Sequence, residues 1–499
     1  MNNYIWAGRK FIVRHLTRKA ALKSRELPLI VETPIRSNYV CHDSTLVNLV
    51  DGIMRRVKYR QVGGEWISTE TPLGTYNLSG FQGYMDSIAK IVGRCFPLTS
   101  VQFLNGYEGM QRKAYERAFS SLVIKPLNKR DSTVKAFIKL ENSKVGKCPR
   151  IISPRDPRYH VSLGLYIRSC EHQIYLAIDK MFGHKVVMKN LNAIQRAKVI
   201  EGYMQPGWVA IGLDASRFDA SVSQDWLELE HSVYKKIFRY DQTLCALLRA
   251  QLYYKCLGVA KDGLLTYDMC GTRSSGDMNT SLGNILIMTC ILFNFTRYID
   301  CRVINDGDDA IIFCKLADIR RVELLRNFIA PFGFYIEMEH PVSILERVEF
   351  CQAKPVWNGQ RYIMTRNTPT CIQKDMLSNK LRSALEMRDW LASVSECGVS
   401  LTSGIPILQS WYMMLGKSKG EANRKKLRRT TGMYYLAKGI ESKHRCVTER
   451  ARYSFWLAFG ITPDMQLCIE NLFDNHSISI SLGECTTYDM VRCAPTLSI

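Results

Sequence analysis

Two short apolar runs, Val303 with Ile304 and Ile311 through Phe313, flank a polar Asn-Asp-Gly-Asp stretch at 305–308. Apolar runs rich in isoleucine and valine on either side of a glycine-bearing polar turn predict a β-hairpin, because glycine takes the positive φ that tight turns need. A further strand is predicted over 208–213, where Trp208, Val209, Ile211 and Leu213 lead up to Asp214. After it, Leu229, Val233 and Ile237 recur every four residues, the spacing of one helix face, and Ser223 stands at the N-cap position. Helical spacing also marks 107–125, through Tyr115, Phe119 and Leu122. The apolar run NILIMTCILFNF at 284–295 falls short of the roughly 18 residues of a membrane span and reads as a core helix. Between 208 and 350 helices and strands alternate in a mixed α/β pattern. Beyond about 375 the pattern turns helical, broken at Gly398, Gly404, Gly416 and Gly420, as in a separate C-terminal subdomain.

The chain has 499 residues, 46% hydrophobic and 10% aromatic, which excludes a disordered protein and leaves core enough for several subdomains. Lys and Arg number 68 against 46 Asp and Glu, a net charge of +22. For a globular chain that excess points first to nucleic acid, with a membrane surface or plain solubility as alternatives. The 17 cysteines are scattered, without a CxxC pair, and read as reduced thiols of a cytosolic protein rather than as a zinc site. Near the N-terminus Arg9, Lys10, Arg14, Arg18, Lys19 and Lys23 interrupt any signal-peptide core. That segment is expected to be a solvated, basic helix face, with RNA or membrane-surface contact as the alternative.

Candidate chemistry gathers in four places. In the predicted hairpin, Asp306, Asp308 and Asp309 surround Gly307. Carboxylates about 4 Å apart repel by roughly 4 kcal/mol at an effective dielectric of 20, so the cluster suggests a cation; a chance Gly-Asp-Asp, from residues that are common, is the alternative. Asp214 ends a strand and Asp219 follows it after four intervening residues, in GLDASRFD, where either a cation or simple turn capping accounts for Asp214. In GTRSSGDMNTSLGN (271–284), Ser275 and Gly276 form a loop suited to close backbone approach. Thr280 and Asn284, four apart, share a helix face there. In 135–159, Lys139, Lys144, Lys147, Arg150, Arg155 and Arg158 interleave with Phe137, Ile138, Ile151 and Ile152, a pattern that favours a phosphate-binding ribbon over a solvated charge run.

Taken in order, K-x-E…PR-I, D-x4-D, SGDMNTSLGN and GDD resemble motifs F, A, B and C of viral RNA-dependent RNA polymerases. YEG…K…Y at 107–115 and VEFCQAKPV at 348–356, which looks like motif E, are similar to the tombusvirus-like (carmovirus-like) branch. The resemblance covers roughly residues 103–360. It implies an α/β (α+β) right-hand polymerase with fingers, palm and thumb, the palm a small antiparallel sheet packed on helices. The implied division is 1–100 as an N-terminal extension of the fingers, 101–206 fingers, 207–228 palm, 229–270 fingers, 271–375 palm and 376–499 helical thumb.

The implied activity is RNA-directed RNA synthesis from NTPs on single-stranded RNA templates, with two Mg²⁺ or Mn²⁺ ions held by Asp214, Asp308 and Asp309. By the same resemblance Asp219, Ser275, Gly276, Thr280 and Asn284 recognise the ribose, and Lys139, Lys147 and Arg150 bind the triphosphate. Cys351 and Gln352 grip the product 3′ end. Asp306 lies outside the shared triplet and is expected to serve the turn. Glu337 stands where the branch commonly has a lysine thought to protonate pyrophosphate; Arg320 or Arg326 are candidate substitutes, and the general acid is left unassigned. Arg424, Lys425, Lys426, Arg428 and Arg429 are candidates to track RNA phosphates. Expected partners are template and nascent RNA, NTPs, and viral or host replication proteins, with peripheral membrane contact through the basic N-terminus. The expected location is host cytoplasm at membrane-associated replication sites. The competing reading is a catalytically inactive RNA-binding scaffold; a reverse transcriptase is disfavoured by Asp219 and Asn284.

Overall fold

In the computed structural model, which describes residues 2–6, 9–14, 39–62, 65–69, 77–378, 383–429 and 432–476, the strand predicted over 208–213 becomes Trp208–Ala215 (β1) and lies inside a four-stranded sheet. The predicted hairpin supplies Cys301–Asp306 (β2) and Asp309–Lys315 (β3), and Ile336–Met338 (β4) closes the other edge, in the order β2-β3-β1-β4. Every pairing in this sheet is antiparallel. Gly307 takes φ 95° at the hairpin turn, which a side-chain-bearing residue rarely adopts.

Period-two alternation sends the sheet's apolar residues to two cores. Val303, Ile312 and Ile211 face helices Ser79–Val92 (α1), Pro157–Phe182 (α2), Gln224–Ile237 (α4) and Thr280–Thr296 (α5). Ile304, Ile311 and Phe313 face helix Ala193–Tyr203 (α3), the hairpin Ala353–Trp357/Tyr362–Arg366, and helices Ala384–Thr402 (α6) and Leu408–Gly416 (α7). The 284–295 run lies within α5, buried from Asn284 to Leu292 and partly buried beyond, and Ser223 caps α4 by accepting from the Trp226 N–H. The 107–125 pattern becomes helix Gly109–Ile124.

Two expectations are corrected. The N-terminal basic segment is not helical where it is described: Asn2–Trp6 and Arg9–Arg14 are antiparallel strands, joined through Leu265↔Val13 to strand Leu264–Cys270 of a six-stranded sheet. Phe11, Ile12 and Val13 are strand formers, and an available sheet edge overrides the weak helical spacing. Arg18, Lys19 and Lys23 lie outside the described residues. Secondly, Gly398 does not break a helix. α6 runs through it, and a Cβ there would stand 2.2 Å from the Tyr412 ring on α7. Gly398→Val is therefore expected to overpack this contact and cost about 1–3 kcal/mol, measurable by urea unfolding.

Candidate active site

β1 is buried from Trp208 to Leu213 and then delivers Asp214, exposed, into a cavity of about 820 Å³. The chain turns at Arg217, whose φ of 53° lets the short helix Phe218–Ser221 bring Asp219 into the same cavity. Asp308, in the hairpin turn, lines it as well. Asp214, Asp219 and Asp308 thus converge from two segments that lie far apart in sequence, and their mutual repulsion is evident. Asp308 is exposed to the cavity, yet the protein packed around it and then the charges of Asp219 and Asp214 raise its pKa. Burial likewise raises Asp219, against hydrogen bonds from Asn284 and Ser275 and the charge of Arg273.

Asp309 pairs directly opposite Asp214 in the sheet, yet lines neither of the two cavities described here. It turns to Cys351, from whose thiol it accepts a hydrogen bond, and burial followed by the charge of Asp308 pushes its pKa up to about 6. Asp306 is not the residue that holds the turn. Asn305 does this, its Nδ2 donating to the carbonyls of Gly307 at 2.8 Å and Asp309 at 3.0 Å. Asp306 instead pairs with Arg196 of α3 at 2.5 Å and with Lys189 at 3.8 Å. Arg196 also donates to Cys351 Sγ at 3.4 Å, so one guanidinium joins the hairpin turn to the turn at 351–352. There Cys351 and Gln352 take φ of 51° and 61°, Gln352 lines the large cavity, and burial pushes the Cys351 thiol up.

Asn284, buried on the first turns of α5, donates from Nδ2 to Asp219 Oδ1 at 2.7 Å. The 274–276 loop is seated on 153–154: the Ser153 N–H donates to Ser275 O at 2.8 Å, and a Cβ at Gly276 would stand 3.1 Å from the Pro154 nitrogen. Thr280 does not reach toward Asp219; its hydroxyl donates to Ser274 O at 2.8 Å and pins the loop.

Of the basic ribbon, Lys144, Lys147 and Arg150 line the cavity, joined by Arg56 and Lys374. Lys139 stands back, 2.7 Å from Glu141, which is also 3.4 Å from Arg150. Arg155 and Arg158 are withdrawn from any phosphate. Arg155, fully buried, pairs with Asp277 at 2.9 Å, and Arg158 pairs with Asp131 at 3.2 Å. Arg56 and Lys374 carry no local motif, so the sequence offered no signal for them. A second cavity of about 560 Å³ meets the first at Arg150, Asp219 and Asp308, and is lined by Arg168, Lys189, His160 and Tyr107. Arg424 and Lys426 are taken up by Glu396 at 2.7 Å and Asp389 at 2.8 Å, and the side chains of Arg428 and Arg429 lie outside the described residues.

Among the described residues, no three His, Cys, Asp or Glu side chains close a metal site by themselves. The donor set nonetheless fits Mg²⁺ or Mn²⁺. Asp214 and Asp308 offer hard carboxylate oxygens in a crowded negative field, and Mg²⁺ is commonly held by one or two carboxylates with substrate phosphates completing its shell. Glu337 is exposed opposite Asp214 on β4, and neither Arg320 nor Arg326 lines either cavity.

Known proteins share this chain over most of its length. The RNA-directed RNA polymerase of Maize chlorotic mottle virus (isolate United States/Kansas/1987) is 41% identical over 448 residues, 87% of this chain and 46% of that protein. Those of Tobacco necrosis virus (strain A) and Carnation mottle virus are 36% and 34% identical, over 88% and 93% of this chain and 62% of each relative. The chain spans roughly half to three fifths of the length of these curated relatives. The family described as viral RNA dependent RNA polymerase matches residues 13–481, a span that takes in every strand and loop of the cleft, and to that family the chain belongs.

Proposed function

We propose that the chain is the catalytic region of an RNA-directed RNA polymerase that copies single-stranded RNA from NTPs, in viral genome replication and transcription. The observation that carries this reading is the meeting of Asp214, Asp219 and Asp308 in one cavity to which Arg56, Lys144, Lys147, Arg150 and Lys374 also contribute, with Glu141 and Glu349 as its further acids. In this reading the four-stranded sheet is the palm, the segments around the six-stranded sheet belong to the fingers, and the helices after 376 form the thumb.

Two divalent cations, when bound, would stabilise the attacking and departing oxygens of an in-line displacement. Asp214 and Asp308 would hold them, with Asp309 behind. Lys147 and Arg150 would take the triphosphate through charge-assisted hydrogen bonds, while Asp219, Asn284 and Ser275 meet the ribose hydroxyl. The 3′-hydroxyl oxygen of the growing strand bonds to the α-phosphorus as the bond to the β-phosphate oxygen breaks, and pyrophosphate leaves. The reading extends to a place at membrane-associated replication sites in host cytoplasm, through peripheral contact of the basic N-terminal segment. Among the described residues, no helix is long and apolar enough to cross a membrane.

The test is incorporation of labelled ribonucleotide on a single-stranded RNA template with Mg²⁺ or Mn²⁺, beside Asp214→Asn. Metal-dependent, template-directed product that disappears in the variant supports the enzyme. Salt-sensitive RNA binding by folded protein, with no product under any metal condition, supports the scaffold instead. Arg150→Ala is expected to raise the KM for NTP about 10- to 100-fold. Its melting temperature should stay unchanged, because the Arg150 side chain is 58% exposed and only loosely paired.

A further inference from the structure

Arg273 is buried in the wall of the large cavity, beside Ser274 and Ser275, and its guanidinium Nε donates to Asn284 Oδ1 at 3.1 Å. A guanidinium only donates and a carboxylate only accepts. With Arg273 on one side and Asp219 on the other, the Asn284 amide therefore has one workable orientation: oxygen toward Arg273, nitrogen toward Asp219. A flipped amide would set its oxygen against the Asp219 carboxylate and its N–H groups against the guanidinium, leaving both contacts without a hydrogen bond.

Arg273 is itself held from several sides. Its Nη2 donates to Glu230 Oε2, and its backbone N–H donates to Asp219 O at 2.8 Å. Glu230 accepts further bonds from Asn279 Nδ2 at 2.9 Å and the Tyr234 hydroxyl at 2.8 Å, so the buried acid is well satisfied. Gly283 makes room for the pair: a Cβ there would stand 2.4 Å from Glu230 Oε1 and 2.5 Å from Arg273 Nη2. The glycine one residue before Asn284 thus admits the ion pair that orients Asn284.

We propose that Arg273, anchored by Glu230, is a positioning residue for sugar selection: it locks the Asn284 amide so that Asp219 and Asn284 present one fixed set of partners to the ribose 2′-hydroxyl. The proposal rests on the polymerase reading. Arg273 acts through Asn284, because its guanidinium is taken up by Glu230 and the Asn284 oxygen. A buried site built to hydrogen-bond a hydroxyl discriminates strongly against the analogue lacking it, and that discrimination needs each donor and acceptor to stay in place.

The experiment compares kcat/KM for ribo- and 2′-deoxyribonucleoside triphosphates in wild-type chain, Arg273→Lys, Asn284→Ala and the double variant, with melting temperatures for each. Arg273→Lys keeps a charge for Glu230 but not the planar fork that reaches Asn284. It is expected to lower the ribo/deoxyribo ratio about tenfold or more, the loss of one hydrogen bond to a charged group. Added to Asn284→Ala, it is expected to lower the ratio no further. Glu230→Gln, which keeps the side-chain shape while releasing Arg273, should move the ratio in the same direction and serves if Arg273→Lys does not fold. A folded Arg273→Lys or Glu230→Gln with wild-type discrimination overturns the proposal, as does a loss that multiplies with that of Asn284→Ala. Failure of the wild-type chain to make RNA overturns the polymerase reading itself, and the proposal with it.

Discussion

Asp308→Ala is expected to reduce ribonucleotide incorporation by at least about 10³-fold, the scale of losing a preorganised electrostatic group at the reacting centre. RNA affinity should be nearly unchanged, because backbone phosphates are met by Lys and Arg rather than by acids. Stability should move in the opposite direction from activity. The pKa of Asp308 is raised in the folded protein by the protein packed around it and by Asp219 and Asp214, so its ionised form costs folding free energy. That cost is absent in acid, below the ordinary carboxylate pKa of about 4, and is complete once pH has risen past the raised folded value. Metal-free Asp308→Asn is therefore expected to melt higher than the parent at pH 7, with the difference vanishing in acid. Activity lost while the melting temperature rises would mark a functional carboxylate. An active Asp308→Ala protein would refute its assignment to the metal site.

The second large effect concerns Arg155, where the expected result runs against the reading of the basic ribbon as uniformly phosphate-binding. Arg155→Met should destabilise the fold by about 3–5 kcal/mol, because Asp277 would be left as a buried charge without its partner. Arg155 lies between the rings of Tyr159 and Tyr254, 5.0 and 4.7 Å from their centroids, and donates to the carbonyls of Ser132 and Ala250. It ties the end of the ribbon to the loop that carries Ser275 and Gly276 and to the end of the helix preceding strand Tyr253–Val259. Urea unfolding gives the loss directly. The KM for NTP, measured on the folded fraction, should shift little, in contrast to Arg150→Ala. A stable Arg155→Met protein with weakened NTP binding would return Arg155 to the phosphate-binding set.

Arg150 and Arg155 show how far a sequence of this kind can be read. They are five residues apart in one basic stretch, and nothing local separates them. Arg150 faces the cavity and Arg155 meets Asp277, more than a hundred residues away. Asp306 makes the same point. Its neighbours suggest a turn residue, whereas its partner Arg196 arrives from α3. Arg273 and Glu230 carry no signal in the sequence, because a charged residue in a helix or loop looks solvated until a second buried charge is known to meet it.

Features that depend on near neighbours are legible in one dimension. Alternation and turn chemistry predicted the hairpin that carries Asp308, the apolar run to Asp214 predicted β1, and Ser223 marked the start of α4. Each follows from steric and hydrogen-bonding preferences acting over a few residues, so the pattern survives in one dimension. The resemblance carried by the ordered motifs added the family. Only the tertiary structure decided which charges face the cleft and which pair off in the core, that Asp309 turns to Cys351, and that Gly398 serves helix packing. Those outcomes depend on partners brought together by burial. A buried charge is tolerated only with its partner in place, and that partner's identity is not written in the residues beside it.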